Sequence, residues 1–225
     1  MEKEIEEIKK IEDGGIEEKE PWYKGPIRFI IMLFLLLIIV MWVFSYYAVK
    51  VDPSPKRIPS IDEVFVQNFE VNISTDRNII NKDYRKLIKP NDPVVKLVAD
   101  KIVSIGCEGS KVCQAKAIFY FVRDNFQYVA DPNAFEYVKD ARESLVTKTL
   151  DCEDGAILTA SLLEAIGVNT RLVFIPRHAY IDILLPEATN RYKQKDGWIS
   201  LDVTCKNCNF GEIPVYNIDK SKIYS

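Results

Sequence analysis

One cysteine, the single histidine and one aspartate could together carry covalent chemistry. Cys152 lies in the segment Asp151–Gly155, which opens an apolar run that ends at Gly167. An aspartate at the N-cap, Asp154 three residues later, and a glycine after the last apolar residue are typical start and stop signals of a helix. Cys152 is therefore predicted at the first helical position, where free backbone N–H groups and the helix dipole favour a thiolate. We interpret Cys152 as a nucleophile.

His178 and Asp202 follow on two predicted strands. His178 opens an alternating segment, and Asp202 lies in the β-branched and aromatic run Gly197–Thr204. A nucleophilic cysteine needs a base that takes its proton, and the base needs a partner that fixes its tautomer. Alone, each residue has an ordinary structural interpretation: a small buried cysteine, a satisfied histidine, or a turn aspartate. Jointly they predict a Cys152, His178 and Asp202 triad.

The order of these segments resembles the transglutaminase-like superfamily, which shares its core with papain-like cysteine proteases. The matching segments are Asp151–Ala156, Gly167–Arg171, His178–Tyr180 and Gly197–Thr204, preceded by Ala117–Tyr128. The resemblance covers roughly Lys111 to Thr204. It implies an α+β fold in which the cysteine-bearing helix packs on an antiparallel sheet, from about Val168 to Thr204, and on the two helices before it.

The family also implies an activity, which is acyl transfer or hydrolysis at protein or peptide amide bonds through a cysteine thioester, with no cofactor required for catalysis. A backbone N–H at Cys152 and one upstream donor, Gln127 or Tyr128, would hold the oxyanion. The carboxylates of Glu153 and Asp154 oppose thiolate formation unless they point toward the helix amides. A catalytically inactive module of the same fold, serving as a membrane-tethered protein-binding domain, is the alternative.

Two departures from the family pattern affect this expectation. The interval from Cys152 to His178 is shorter than in many relatives, which predicts a trimmed substrate-binding loop. Val203 follows Asp202 where the family usually has proline. The first departure bears on the choice of substrate, whereas the second changes little.

The four remaining cysteines, Cys107, Cys113, Cys205 and Cys208, have three interpretations. They could form two disulfides in any of three connectivities, or hold a structural zinc ion, or remain free thiols. An extracytoplasmic location would favour disulfides. In either ordered case Cys205 would fix the strand that carries Asp202.

Residues 27–49 are predicted to form one transmembrane helix that contacts the lipid bilayer. No polar residue occurs from Phe29 to Phe44, and the run exceeds the ~20 residues that cross a bilayer. A cleaved signal peptide fits less well, because its apolar region is normally about 7–15 residues long. Flanking positive charges are balanced, so they do not give an orientation. The short N-terminal tail and the cysteines favour a single-pass protein with its domain outside the cytoplasm.

The remaining organisation follows from composition. Residues 1–26 are a charged tail, residues 50–60 a proline-rich extended spacer that lifts the domain off the membrane, and residues 61–225 the domain. Within the domain we predict helices over Pro93–Ile105 and Lys111–Phe126, and a long irregular stretch from Asp131 to Leu150 that forms a cleft wall. The net charge of −3 and the lack of a basic patch interleaved with aromatics argue against nucleic-acid binding.

Overall fold

The computed structural model describes residues 25–64, 83–131 and 137–225, without the side chains of residues 48–50. All but the last two residues of the charged tail predicted for 1–26 lie outside these ranges. The chain divides into a first unit that ends at Tyr47 and a second unit, Ala48–Ser225.

Helix α1 (Ile27–Val51) holds the long apolar run of the first unit. An 18-residue window within its segment Ile27–Tyr47 has a mean hydropathy of 2.9, and this is the one helix in the described part of the chain that is long and apolar enough to cross a membrane. None of these side chains is buried inside the protein. A membrane span and an N-terminal signal sequence share these properties.

The second unit is an α+β domain, as predicted. Its elements in chain order are α2 (Ile61–Val64), α3 (Pro93–Gly106), α4 (Lys111–Asn125), β1 (Gln127–Tyr128), α5 (Ala141–Thr147), β2 (Thr149–Leu150), α6 (Cys152–Ala165), β3 (Asn169–Ile175), β4 (His178–Leu184), β5 (Trp198–Leu201) and β6 (Ile223–Tyr224). Short 3-10 turns cover Tyr84–Leu87 and Val215–Asn217.

An antiparallel sheet of order β5-β4-β3-β6 supports the domain. A two-residue turn joins β3 to β4, so that Ile175 pairs with His178, and Leu184 at the far end of β4 pairs with Trp198. Helix α6 packs on β3 and β4 on one side and on α3, α4 and α5 on the other. The predicted packing of the cysteine-bearing helix on an antiparallel sheet is thus confirmed.

Both ends of α6 follow the local sequence signals. The Asp151 carboxylate accepts from the Asp154 N–H at 3.0 Å, and the Asp154 carboxylate accepts in return from the Asp151 N–H at 3.4 Å. This reciprocal pair is a capping box, which satisfies two N–H groups that the helix leaves free. Gly167 follows the helix with φ +80°, a conformation that side chains rarely adopt.

Gly155 lets the start of α6 approach the segment that follows β5. A Cβ atom at this position would lie 3.0 Å from Val203 Cγ2 and 3.3 Å from Leu150 Cδ1. The missing side chain therefore brings the first turn of α6 against the residue next to Asp202. This close approach helps to place the residues predicted to form the triad on neighbouring elements.

The predicted spacer over residues 50–60 differs from the structure. Helix α1 runs to Val51, and the Asp52 carboxylate then accepts from the buried Lys116 ammonium at 2.7 Å. Further along, the Lys56 N–H donates to the Gly106 carbonyl at 2.9 Å. Because a buried ammonium requires a counter-charge, the segment after α1 is fastened to the domain rather than held away from it.

The irregular stretch predicted from Asp131 to Leu150 was wrong in its second half. Residues Ala141–Thr147 form α5, and Asp140 caps this helix by accepting from the Glu143 N–H at 3.0 Å. Residues Thr149–Leu150 form β2, which pairs in parallel with β1. The stretch is therefore ordered up to the start of α6.

Candidate active site

His178 and Asp202 form a hydrogen-bonded pair where β4 begins and β5 has just ended. His178 Nε2 donates to Asp202 Oδ2 at 2.7 Å, and the Asp202 side chain is buried. Thr204 fixes the second carboxylate oxygen through its N–H at 3.1 Å and its hydroxyl at 2.7 Å. Burial opposes the charge of Asp202, but the bonds from His178 and Thr204 outweigh it, so the pKa of this carboxyl lies below its usual value. Nδ1 of His178 remains for proton transfer.

The sulfur of Cys152 lies against the start of β4. Cys152 is half-buried at the first position of α6, and the Ala179 N–H donates to its Sγ. Ala179 is the residue after His178, so α6 and β4 bring the sulfur beside the His178–Asp202 pair. The structure therefore pairs His178 with Asp202 and places Cys152 against the residue that follows His178.

The thiol itself is held in the protonated form. Its Sγ donates to Glu153 Oε2 at 2.8 Å. Burial is the largest influence, and together with the Glu153 hydrogen bond and charge it raises the pKa of Cys152 well above the usual range. The prediction that the helix start favours a thiolate was wrong for this arrangement, because burial and Glu153 outweigh the helix dipole.

Two more carboxylates surround the first turn of α6. Burial, then the charge of Asp154, raises the pKa of Asp151 to about 7. Asp154 is buried and accepts from Lys139, through the backbone N–H at 2.6 Å and the ammonium at 2.9 Å. Lys139 is thus a positioning residue for the start of α6.

The two candidate oxyanion donors lie on β1, beside the strand that leads into Cys152. The Gln127 N–H already donates to the Lys148 carbonyl at 3.0 Å, so this donor is occupied. Tyr128 is closer to the chemistry: burial and then the charge of Cys152 raise the pKa of its hydroxyl.

A cavity of about 430 Å³ opens beside His178 and Asp202. We call it the His178 cavity; other residues lining it are Arg177, Thr204, Cys205, Tyr216 and Lys220. Cavities of about 420 and 620 Å³ around Tyr192 include none of the three triad residues. The His178 cavity therefore exposes the His178–Asp202 pair, whereas Cys152 is not among the residues that line it.

Four cysteines form two disulfides of short sequence separation. Cys107–Cys113 links the end of α3 to the start of α4, and Cys205–Cys208 follows Asp202 directly. The second bond lies next to the Asp202 segment, where the sequence led us to expect a fastening. A sulfur in a disulfide has no thiolate to offer a metal, so these bonds and the predicted zinc are alternatives for the same atoms.

A family match agrees with this geometry. Residues 99–203 match the model of the transglutaminase-like superfamily. Over these residues the described domain is similar to that superfamily. The match covers slightly less than half of the chain and includes Cys152, His178 and Asp202, so the resemblance read from the sequence is confirmed.

Solved structures also resemble this domain, at low identity. Legionella pneumophila LapG is 18% identical with a TM-score of 0.42, and the match covers 73% of this chain and 80% of LapG. A candidate cysteine protease from Cytophaga hutchinsonii is 16% identical with a TM-score of 0.43, covering 64% of this chain and 47% of that one. No curated protein matches the chain. The resemblance to the transglutaminase-like superfamily therefore rests on the family match.

Several residues of the site did not emerge from the sequence. The Ala179 N–H and Lys139 reach the first turn of α6 from distant segments, and no local pattern indicates them. Thr204 did carry a signal, because an aspartate commonly accepts from the backbone N–H two residues later.

Proposed function

We propose that this protein is a membrane-anchored cysteine enzyme that transfers the acyl group of protein or peptide amides. In this proposal Cys152 is the nucleophile, His178 the base and Asp202 the residue that orients the imidazole. The observation that carries it is the 2.7 Å bond between His178 Nε2 and Asp202 Oδ2, on the strand against which the Cys152 sulfur lies. The family match supports the same assignment.

The reaction would proceed through a thioester. His178 Nδ1 accepts the proton of Cys152 Sγ, and the thiolate attacks the amide carbonyl to form a tetrahedral oxyanion. When this intermediate collapses, the C–N bond breaks, and the imidazolium gives its proton to the departing amine. Asp202 stabilises the imidazolium throughout, as its depressed pKa favours the charged carboxylate.

The thioester then reacts with water or with an amine. Water releases a carboxylic acid and completes hydrolysis, whereas an amine forms a new amide and cross-links two molecules. Hydrolysis needs only one polypeptide segment in the His178 cavity, and we propose it as the main reaction.

Two probes distinguish these outcomes in the full chain, purified in detergent micelles. Fluorescein-labelled casein measures hydrolysis, and incorporation of dansylcadaverine into unlabelled casein measures amine transfer. We expect peptide release that disappears in Cys152→Ala, His178→Ala and Asp202→Asn. Release that is unchanged in Cys152→Ala, or no reaction with either probe in the wild type, would contradict the proposal.

A binding module without turnover is the second candidate, and one observation favours it. The hydrogen bond from Cys152 to Glu153 holds the nucleophile as a thiol. If the domain only binds peptides, casein peptides should bind wild type and Cys152→Ala equally, and neither protein should release product.

The membrane anchor is part of the proposal. Helix α1 is long and apolar enough to span a bilayer, and the disulfides suit a domain outside the cytoplasm. Alkaline carbonate should leave the expressed chain in the membrane fraction, with an intact mass that includes α1. A soluble product that begins after α1 would indicate a cleaved signal sequence instead. Protease added to sealed cells should digest the domain if it faces outward.

A further inference from the structure

The Cys152 sulfur has two polar neighbours that act in opposite directions. The Ala179 N–H donates to Sγ, a contact that stabilises a thiolate. Glu153 Oε2 accepts from Sγ at 2.8 Å, a contact that only a thiol can make. If the sulfur loses its proton while Glu153 stays in place, two negative charges are left in contact in a half-buried site.

We propose that Glu153 is a positioning residue that holds Cys152 as a thiol in the resting protein, and that its carboxylate must leave the sulfur before the reactive thiolate forms. This inference rests on the proposed function and adds a control step to the same site. The thiol proton then passes to His178 Nδ1, while the Glu153 carboxylate exchanges its sulfur contact for water or for a cationic group of a substrate.

Glu153 is the carboxylate best able to make this change. Asp151 is tied to the Asp154 N–H by the capping box, and Asp154 is tied to Lys139. Glu153 is half-buried and forms no ion pair within residues 25–64, 83–131 and 137–225. Rotation of its side chain therefore breaks no contact with a basic group.

Other ionisable groups face the sulfur from each neighbouring element. Tyr128 approaches from β1 and Asp151 from the cap of α6, while His178, bonded to Asp202, lies on β4 next to Ala179, whose N–H contacts the sulfur. Asp202 is held by His178 and Thr204, and it is not among the largest causes of the raised thiol pKa. After burial, the Glu153 hydrogen bond and charge are the main causes that raise the pKa of the thiol.

The influence of Glu153 on the Cys152 thiol can be measured without interference from other cysteines. Of its five cysteines, four are paired in disulfides, so Cys152 is the single free thiol. The rate of iodoacetamide alkylation of the full chain in detergent micelles, followed by intact mass from pH 6 to 10, reports its thiolate fraction. The variants are Glu153→Gln, which keeps the size of the side chain, and the matched control Glu187→Gln on the exposed loop after β4.

Glu153→Gln should move the alkylation profile about 1–2 pH units lower, which makes alkylation about 10- to 100-fold faster at pH 7.5. Glu187→Gln should follow the wild type. Glu153→Asp keeps the charge but shortens the side chain, and it should accelerate alkylation by a smaller factor of about 3–10. A wild-type profile in both Glu153 variants would overturn the proposal.

Failure of the proposed function would look different. If no variant releases peptide from casein while Glu153→Gln still shifts the alkylation profile, Glu153 controls the thiol but the protein is not the proposed enzyme. If the wild type releases peptide and Glu153→Gln shifts neither the alkylation profile nor the pH dependence of turnover, the proposed enzymatic function is retained and the role of Glu153 is refuted.

Discussion

Asp182 and Asp202 are both buried aspartates at the sheet, but they have partners of different chemistry. Asp182, within β4, is 0% exposed; it accepts from Arg171 at 2.7 Å and from the Ser200 hydroxyl at 2.7 Å. Asp202, just after β5, is 1% exposed and accepts from His178 at 2.7 Å. Burial and hydrogen-bond length are nearly the same at the two sites.

The partners make the difference. Arg171 does not release a proton in proteins, and its guanidinium is enclosed between the rings of Trp198 and Tyr224, 4.3 and 4.1 Å from their centroids. A histidine, in contrast, can accept and donate a proton in catalysis, and His178 borders a cavity. A buried carboxylate alone therefore indicates no function; a titratable partner with access to the nucleophile and to solvent does.

The largest expected effect is on catalysis, from Asp202→Asn. The amide no longer stabilises the imidazolium and favours the wrong tautomer of His178, so turnover of casein should fall about 100- to 10,000-fold. The unfolding temperature should change little, because Thr204 still binds the side-chain oxygen. Near-normal turnover in this variant would remove the distinction between the two aspartates.

Asp182→Asn should show the opposite pattern. The change leaves the Arg171 charge near a neutral amide in the sheet and should cost about 3 kcal/mol of stability, lessened by the second pair of Arg171 with Asp196. Thermal unfolding measures the loss, and turnover per folded molecule should stay within about twofold of the wild type. A large loss of turnover in fully folded Asp182→Asn would mean that this pair also serves the chemistry.

A third carboxylate, Asp151, differs from Asp182 and Asp202 because the charges nearest to it are acidic. Its folded pKa of about 7 lies above the unfolded value of about 3.9, so the folded state holds a proton that the unfolded state has lost between these pH values. Stability therefore falls as pH rises from about 4 to 7. Asparagine keeps the N-cap but does not titrate, so Asp151→Asn should be more stable than the wild type by about 2–4 kcal/mol at pH 8 and equal to it at pH 4. Parallel stability curves across this range would refute the account.

The smallest effect is expected at Thr204. Thr204→Val removes the hydroxyl bond to Asp202 but keeps the N–H bond, which should cost about 1 kcal/mol and lower turnover about fivefold. The matched control is Thr159→Val, which removes a buried hydroxyl bond to the Gly155 carbonyl within α6. Equal losses of turnover in the two variants would show that Thr204 acts only through stability.

Local signals made α6 predictable. Asp151, Asp154 and Gly167 encode the start and the end of this helix within a few residues of the chain, and the structure follows them. Helix α5 was missed although Asp140 and Glu143 have the spacing of a capped helix start, because the stretch around them carried no clear apolar period. The capping signal was present, but the missing apolar period outweighed it in the prediction.

Side-chain directions and cysteine pairing were not predictable in the same way. The sequence suggested that Glu153 would oppose a thiolate, but its hydrogen bond to the sulfur depends on side-chain directions. The sequence likewise left three disulfide connectivities open, and the structure selects the two pairings of short sequence separation, Cys107–Cys113 and Cys205–Cys208. Local capping residues determine where α6 begins and ends, whereas packing determines which groups contact the Cys152 sulfur at its start.

Acylation of Cys152 by p-nitrophenyl acetate tests the triad most directly, because this small acyl donor does not depend on the choice of substrate. Intact mass after an acid quench should show one acetyl group on the wild type, mapped to Cys152, with acylation slowed at least about 100-fold in His178→Ala and Asp202→Asn but not in Asp182→Asn. Equal acylation of Cys152 in the wild type and His178→Ala, or acetyl groups that remain unchanged in Cys152→Ala, would contradict the Cys152, His178 and Asp202 triad.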